Sequence, residues 1–214
     1  MASVEENHLM VSKTARFFSL GNPRTARHLL VVVHGYAQLP EFFIRKFAFL
    51  EERGVYIVAP EGLHRFYCQG TAGRVGASWM TKEARTLDIS DNFSYLEQLI
   101  IGIKSENGFE SSSILGFSQG GATVLRWLVN SSINWNKCVI WGCNFPVDLE
   151  DVITHVQSVE KFCVIGNRDE FFPPLQLEET MKVYESNGFQ SLDFEGGHQI
   201  EPSVLDVILK YDKL

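Results

Sequence analysis

The chain has 214 residues, of which 45% are hydrophobic and 21% charged, enough apolar material for one globular domain spanning 1–214. The formal charge is −7, and Lys and Arg are scattered rather than clustered, which argues against a nucleic-acid partner. The longest purely aliphatic run, Leu29–Val33, is too short for a transmembrane segment, and the opening MASVEENHLM lacks the basic start and apolar core of a secretion signal, so a cytoplasmic location is expected.

In chain order, β-rich runs are predicted at Thr14–Ser19, Leu29–Val33, Val55–Ala59, Ser112–Phe117, Lys137–Trp141, Lys161–Ile165 and Ser191–Phe194. The first two are joined by LGNPRTARH, a Gly-Asn-Pro turn short enough to predict an antiparallel hairpin. Helical periodicity falls between the others. Phe43, Phe47 and Leu50 mark one helix, ended by Gly54. Ile89, Phe93, Leu96, Ile100 and Ile103 mark a longer one, ended near Gly108. Gly121–Val129 is apolar on most sides and is expected deep in the fold. Leu177, Met181 and Tyr184 mark a further helix, and Val204, Ile208 and Tyr211 the last, opened by Pro202-Ser203. The stretch Gly62–Thr86 shows no period and reads as a long loop of the functional or mobile kind. Alternating strands and helices predict an α/β fold: a mostly parallel sheet of about seven strands, helices on both faces and no large cap.

Four cysteines, Cys68, Cys138, Cys143 and Cys163, show no C-x-x-C spacing and read as free thiols rather than disulfides or zinc ligands. No H-E-x-x-H pattern is present, and neither a metal nor a cofactor is implied.

The chemistry centres on ILGFSQGGA, residues 114–122, where Gly116 and Gly120 flank Ser118 in a G-x-S-x-G frame. Such a frame arises by chance in about one chain in ten or twenty of this length, so its position between a buried strand and a helix carries the argument. A sharp strand-to-helix turn holds its apex serine in a strained conformation, and the helix N-terminus beyond it offers free N–H groups to a developing oxyanion.

A serine hydroxyl needs a base, and the base an orienting acid, in the chain order serine, acid, histidine. Only His155 and His198 follow Ser118. His155 sits in helical or irregular sequence and reads as solvated, whereas His198 follows the last strand through two glycines that let its loop turn back over the strand ends. Asp169 lies just beyond the Lys161–Ile165 strand in a G-x-x-D-x-x-x-P frame, with Glu170 as its competitor. His34-Gly35 ends the second strand. The N–H groups of Tyr36, in the loop beyond it, and of Gln119 are the expected oxyanion donors, with His34 a structural hydrogen-bonding residue. Cys143 lacks the turn a nucleophile needs and reads as a packed thiol.

With Ser118, Asp169, His198 and His34-Gly35 in this order, the chain resembles the α/β-hydrolase superfamily. More narrowly, it looks like the small phospholipase/carboxylesterase family that includes acyl-protein thioesterases. The resemblance runs from about Leu29 to the C-terminus and rests on GFSQGG and on the Gly-x-x-Asp-x-x-x-Pro and Gly-His frames. It implies Ser118 as nucleophile, His198 as base, Asp169 as orienting acid and the Tyr36 and Gln119 N–H groups as oxyanion hole. The chain departs from that pattern at His34-Gly35-Tyr36-Ala37-Gln38, where the family often has His-Gly-Leu-Gly-Asp. It departs again at Ser78-Trp79-Met80-Thr81, where a Trp-Phe-Asp segment is common. Both loops shape the acyl and leaving-group pockets.

The expected function is a cofactor-free serine hydrolase of small-molecule esters or thioesters, with Phe42, Phe43, Phe66, Trp79, Phe145, Phe171 and Phe172 as candidates to line an apolar pocket. The alternatives are a non-catalytic ligand-binding protein on the same fold, or the same residues cleaving lactones or peptides.

Overall fold

Leu29–Val33 is fully buried along its whole length, as a run of β-branched and leucine side chains must be when helices cover both faces of the sheet. Alternate residues serve opposite sides. Leu29, Val31 and Val33 join one hydrophobic core, and Leu30 and Val32 the other. The computed structural model describes residues 3–149, 153, 156 and 158–211. His155 lies outside the described residues.

The strands are β1 (Phe17–Leu20), β2 (His28–Val33), β3 (Val55–Pro60), β4 (His64–Gln69), β5 (Ala72–Ser78), β6 (Ser111–Phe117), β7 (Lys137–Trp141), β8 (Glu160–Gly166) and β9 (Gln190–Phe194). The helices are α1 (Pro40–Phe43), which tightens into 3₁₀ turns over Ile44–Arg53, then α2 (Arg85–Glu106), α3 (Gln119–Asn130), α4 (Pro174–Ser186) and α5 (Pro202–Leu209). Seven strands form one sheet in the order β1-β3-β2-β6-β7-β8-β9, parallel throughout except for β1. Side chains of α2, α3 and α4 pack into the first core. Those of α1, its 3₁₀ extension and α5 pack into the second. No large cap covers the sheet among the described residues.

Strand order reverses beside β2. The chain leaves β2 to form β3 on one side, by way of α1 on one face, and later places β6 on the other side, leading into α3 on the opposite face. The loops after β2 and β6 therefore diverge and leave a crevice above the carboxyl edge, the usual place for a site in an open α/β sheet.

Two expectations are corrected. The first strand does not pair with the second; β1 lies antiparallel on β3. The connector runs across the start of β3, with Gly21 (φ +86°) so close that a Cβ there would come 2.6 Å from the Val55 carbonyl. The Arg27 and His28 N–H groups both donate to Gly54 O, at 2.9 and 3.1 Å. This connector is long enough to step over one strand, so β3 occupies the slot a hairpin would have closed.

The stretch Gly62–Thr86 is not a loop. It holds the antiparallel pair β4–β5, turned at Gly70 (φ +54°), and then the start of α2. Its strands bury little: β4 alternates only between exposed and half-buried residues and the first three residues of β5 are exposed, so no strong apolar period marks them in the sequence. The hairpin's inner end is anchored instead by backbone. The Ala37 N–H donates to Ala77 O at 2.9 Å, and the Ala77 N–H to Gln38 O at 3.0 Å. A Cβ at Gly76 would strike the Ala37 backbone at 2.6 Å, so only glycine admits this contact.

Candidate active site

Ser118 sits at φ 53°, ψ −123°, a conformation costly for any residue with a Cβ. Two backbone bonds hold it there: its N–H donates to Trp141 O at 2.8 Å, and its carbonyl accepts from Gly121 N–H at 2.8 Å. The flanking glycines explain how close the elements come. A Cβ on Gly116 would meet Gly120 O at 2.5 Å, and one on Gly120 would meet Val33 O at 2.2 Å. The crowding they relieve is therefore between backbones across the turn and against the end of β2, rather than around the serine side chain. Gln119 is the first residue of α3, so its N–H has no acceptor within the helix.

The loop after β2 reaches the same point. A Cβ built on Gly35 would lie 3.2 Å from Ser118 Cβ and 3.4 Å from Gln38 Oε1. The Gly35 N–H donates to Gln38 Oε1 at 2.9 Å, and the Gln38 N–H to Gly35 O at 3.2 Å. Tyr36 occupies the second position of this turn, where its N–H takes no part in the turn bond. The residue is 57% exposed, and its ring stacks on Phe66 at 5.1 Å.

On the other side, the loop after β9 folds back across the end of β8. Gly166 makes this possible, since a Cβ there would strike Gly196 O at 2.3 Å. His198 Nδ1 then lies 2.7 Å from Asp169 Oδ2. The other carboxylate oxygen of Asp169 accepts the Phe171 N–H at 3.0 Å. Asp169 is buried while Glu170 is exposed, so the carboxylate that meets the histidine is that of Asp169. The rings of Phe117 and Phe171 each stand 4.7 Å from the imidazole. Gly142 (φ +57°) completes the fit: a Cβ there would come within 2.9 Å of His198 Cε1. Ser118, Gln119, Gly142, Phe171, Phe172 and His198 share the lining of one cavity of about 290 Å³.

The structure thus gathers Ser118, Gln119, Asp169 and His198 at one sheet edge, with Gly35 against the serine and Tyr36 next to it. Of the candidate aromatics, Phe171 and Phe172 line this cavity, Phe42 and Phe43 line a neighbouring one, and Trp79 and Phe145 are buried in the core. Cys143 also borders the site, but burial pushes its thiol up to about 12, which suits the packed thiol expected. All four cysteines are free. Among the described residues no His, Cys, Asp and Glu group could hold a metal ion, and no helix is long and apolar enough to cross a membrane.

Some supporting residues escaped the sequence reading. Gln119 holds the segment after β5 through its side chain, accepting the Trp79 N–H at 3.0 Å and donating to Met80 O at 2.8 Å. Trp79 in turn donates its indole N–H to His34 O at 2.8 Å, and Asn92 donates to Trp79 O at 2.5 Å. Trp79 therefore links the ends of β2 and β6. A signal was available for Asn92, a polar residue inside the apolar stripe of α2, and for Gly142, a glycine at a strand end.

His34 is fully buried. Its Nδ1 lies 2.8 Å from Gly35 O and its Nε2 accepts the Gly62 N–H at 3.1 Å, an arrangement that requires neutral imidazole with the proton on Nδ1. Burial lowers its pKa from 6.5 to about 4. Because the folded value is depressed, the unfolded chain binds more protons between these limits. Stability from this group is full above pH 6.5 and is lost as pH falls toward 4, by about 3 kcal/mol. Urea unfolding from pH 7 to 4 should show this loss, with a shallower pH dependence in His34→Gln. An equally steep fall in the variant would remove His34 as its source.

The family model described as serine hydrolase (FSH1) matches residues 25–204. The chain belongs to the FSH1 serine hydrolase family. Among solved structures, the FSH1-family chain is similar to esterase PE8 (18% identity, TM-score 0.68, covering 93% of this chain and 98% of that one). It is similar to Zea mays acyl-protein thioesterase 2 (16%, 0.70, 92% and 97%) and to a carboxylesterase from Mesorhizobium loti (16%, 0.70, 92% and 95%). At such identities the likeness establishes the fold, that of the α/β hydrolases, as expected from the sequence. No curated protein sequence matches the chain.

Proposed function

We propose that this serine hydrolase cleaves carboxylic esters or thioesters of small molecules through an acyl-enzyme on Ser118. The observation that carries the reading is the shared cavity: a serine on strained backbone and an imidazole whose Nδ1 lies 2.7 Å from a buried carboxylate. His198 takes the Ser118 proton as Oγ attacks the acyl carbonyl. Asp169 keeps the imidazole proton on Nδ1, leaving Nε2 free to accept, and stabilises the imidazolium that forms. The Gln119 and Tyr36 N–H groups receive the oxyanion, each worth roughly 3–4 kcal/mol in the transition state. His198 then protonates the leaving group, and water releases the acyl group by the same route. This chemistry draws on no metal or cofactor.

A panel of aryl esters, lactones and acyl thioesters of graded chain length tests the reading. With no large cap over the cavity among the described residues, hydrolysis of short to medium acyl esters is expected. A peak on long-chain lipid emulsions with short esters ignored would contradict the open site. Saturable binding of these compounds without turnover would replace the enzyme with a ligand-binding protein.

A further inference from the structure

A second cavity, of about 420 Å³, lies on the far side of the Gly35–Gln38 turn, between α1 and β5. Gln38 joins it to the site, because its side-chain oxygen and Ser118 Cβ both lie within 3.4 Å of the point where a Gly35 Cβ would stand. The floor is apolar, built from Leu39, Phe43 and Val75, with Phe43 only 2% exposed. The rim carries two exposed cations, Lys46 from the 3₁₀ segment and Arg74 from β5. Among the described residues no carboxylate shares the lining. Among the described residues neither cation forms an ion pair, whereas nearby Arg45 and Arg65 are matched with Glu41 and Glu61. In a chain of charge −7, two unpaired cations from separate elements above one apolar pocket form a receptor for an apolar chain that ends in an anion.

Resting on the reading of Ser118 as nucleophile, we propose that this pocket takes the acyl limb of the substrate, and that the substrate is the monoester or monothioester of a dicarboxylic acid with an apolar spacer. The leaving group must lie against His198, which protonates it, and so occupies the cavity walled by Phe171 and Phe172. The acyl limb points away, past the Gly35–Gln38 turn, and its free carboxylate meets Lys46 and Arg74. Ser118 Oγ bonds to the acyl carbon as the carbon–oxygen or carbon–sulfur bond breaks, and the leaving group takes the proton from His198. Water then frees the dicarboxylic acid and restores the serine hydroxyl.

The test compares p-nitrophenyl esters of matched length, one acyl chain ending in a methyl and the other in a carboxylate, for the wild type, Lys46→Gln/Arg74→Gln and Lys46→Glu/Arg74→Glu. At low salt the wild type should favour the carboxylated chain in kcat/KM by on the order of tenfold. The preference should vanish in the glutamine pair, reverse in the glutamate pair and shrink with added salt. Lys182→Gln/Lys210→Gln, the same loss of two positive charges placed on α4 and at the end of α5, should leave the ratio as it is in the wild type. A wild type with no preference, or a ratio the pocket variants do not move, would overturn the proposal while ester hydrolysis stands. A preference only for a carboxylate on the leaving group would overturn the placement of the limbs. Hydrolysis of neither ester by the wild type would overturn the esterase reading and this inference with it.

Discussion

Ser118→Ala should lower ester hydrolysis by on the order of 10⁶-fold in kcat, leaving a protein that folds and binds substrate. Alanine keeps the Cβ and so keeps the strain at φ 53°, while removing the Oγ proposed to form the acyl bond. Ser118→Gly separates strain from chemistry. It should be equally inactive yet more stable than the alanine variant by about 1 kcal/mol, because glycine adopts this conformation freely. Denaturant unfolding beside stopped-flow hydrolysis reads both effects. An alanine variant retaining a tenth of the activity would place the nucleophile elsewhere.

Asp169→Asn is expected to cost on the order of 10⁴-fold in kcat, with little change in KM. The direction follows from the two bonds the carboxylate makes. One oxygen accepts the Phe171 N–H at 3.0 Å, so an asparagine keeps its carbonyl there and turns its NH₂ toward His198 Nδ1. The imidazole must then accept at Nδ1 and carry its proton on Nε2, where it can no longer take one from serine. Glu170→Gln, one residue away but exposed, should change kcat by less than about twofold. Equal losses in the two variants would remove Asp169 from its proposed role.

Much of this arrangement is legible in the sequence because it rests on local rules. The buried parallel strands are continuous apolar runs, and the turn at Ser118 declares itself through glycines required by backbone approach. His198 is marked by its place after the last strand and the two glycines before it, and Asp169 by its strand end and the Gly-x-x-Asp-x-x-x-Pro frame. What escaped depends on long-range backbone contacts with no periodic signature. Pairing of β1 with β3 is decided by the path of the Gly21–Arg27 connector over Gly54 and Val55. The β4–β5 hairpin is held at its inner end by backbone bonds to Ala37 and Gln38, and the rest is exposed or half-buried, so it carries no strong apolar period. The hydrogen bonds that the Gln119 side chain accepts from Trp79 and donates to Met80 cross tens of residues, and only the folded chain brings those partners together.

In the proposed mechanism one hydroxyl, that of Ser118, becomes acylated. Intact-mass measurement and peptide mapping after reaction with a fluorophosphonate ester test it most directly. A single phosphonyl adduct on the peptide containing Ser118, absent from Ser118→Ala and strongly slowed in His198→Ala, is the expected result. An adduct at Cys143 or another residue, or labelling of Ser118→Ala equal to that of the wild type, would contradict it.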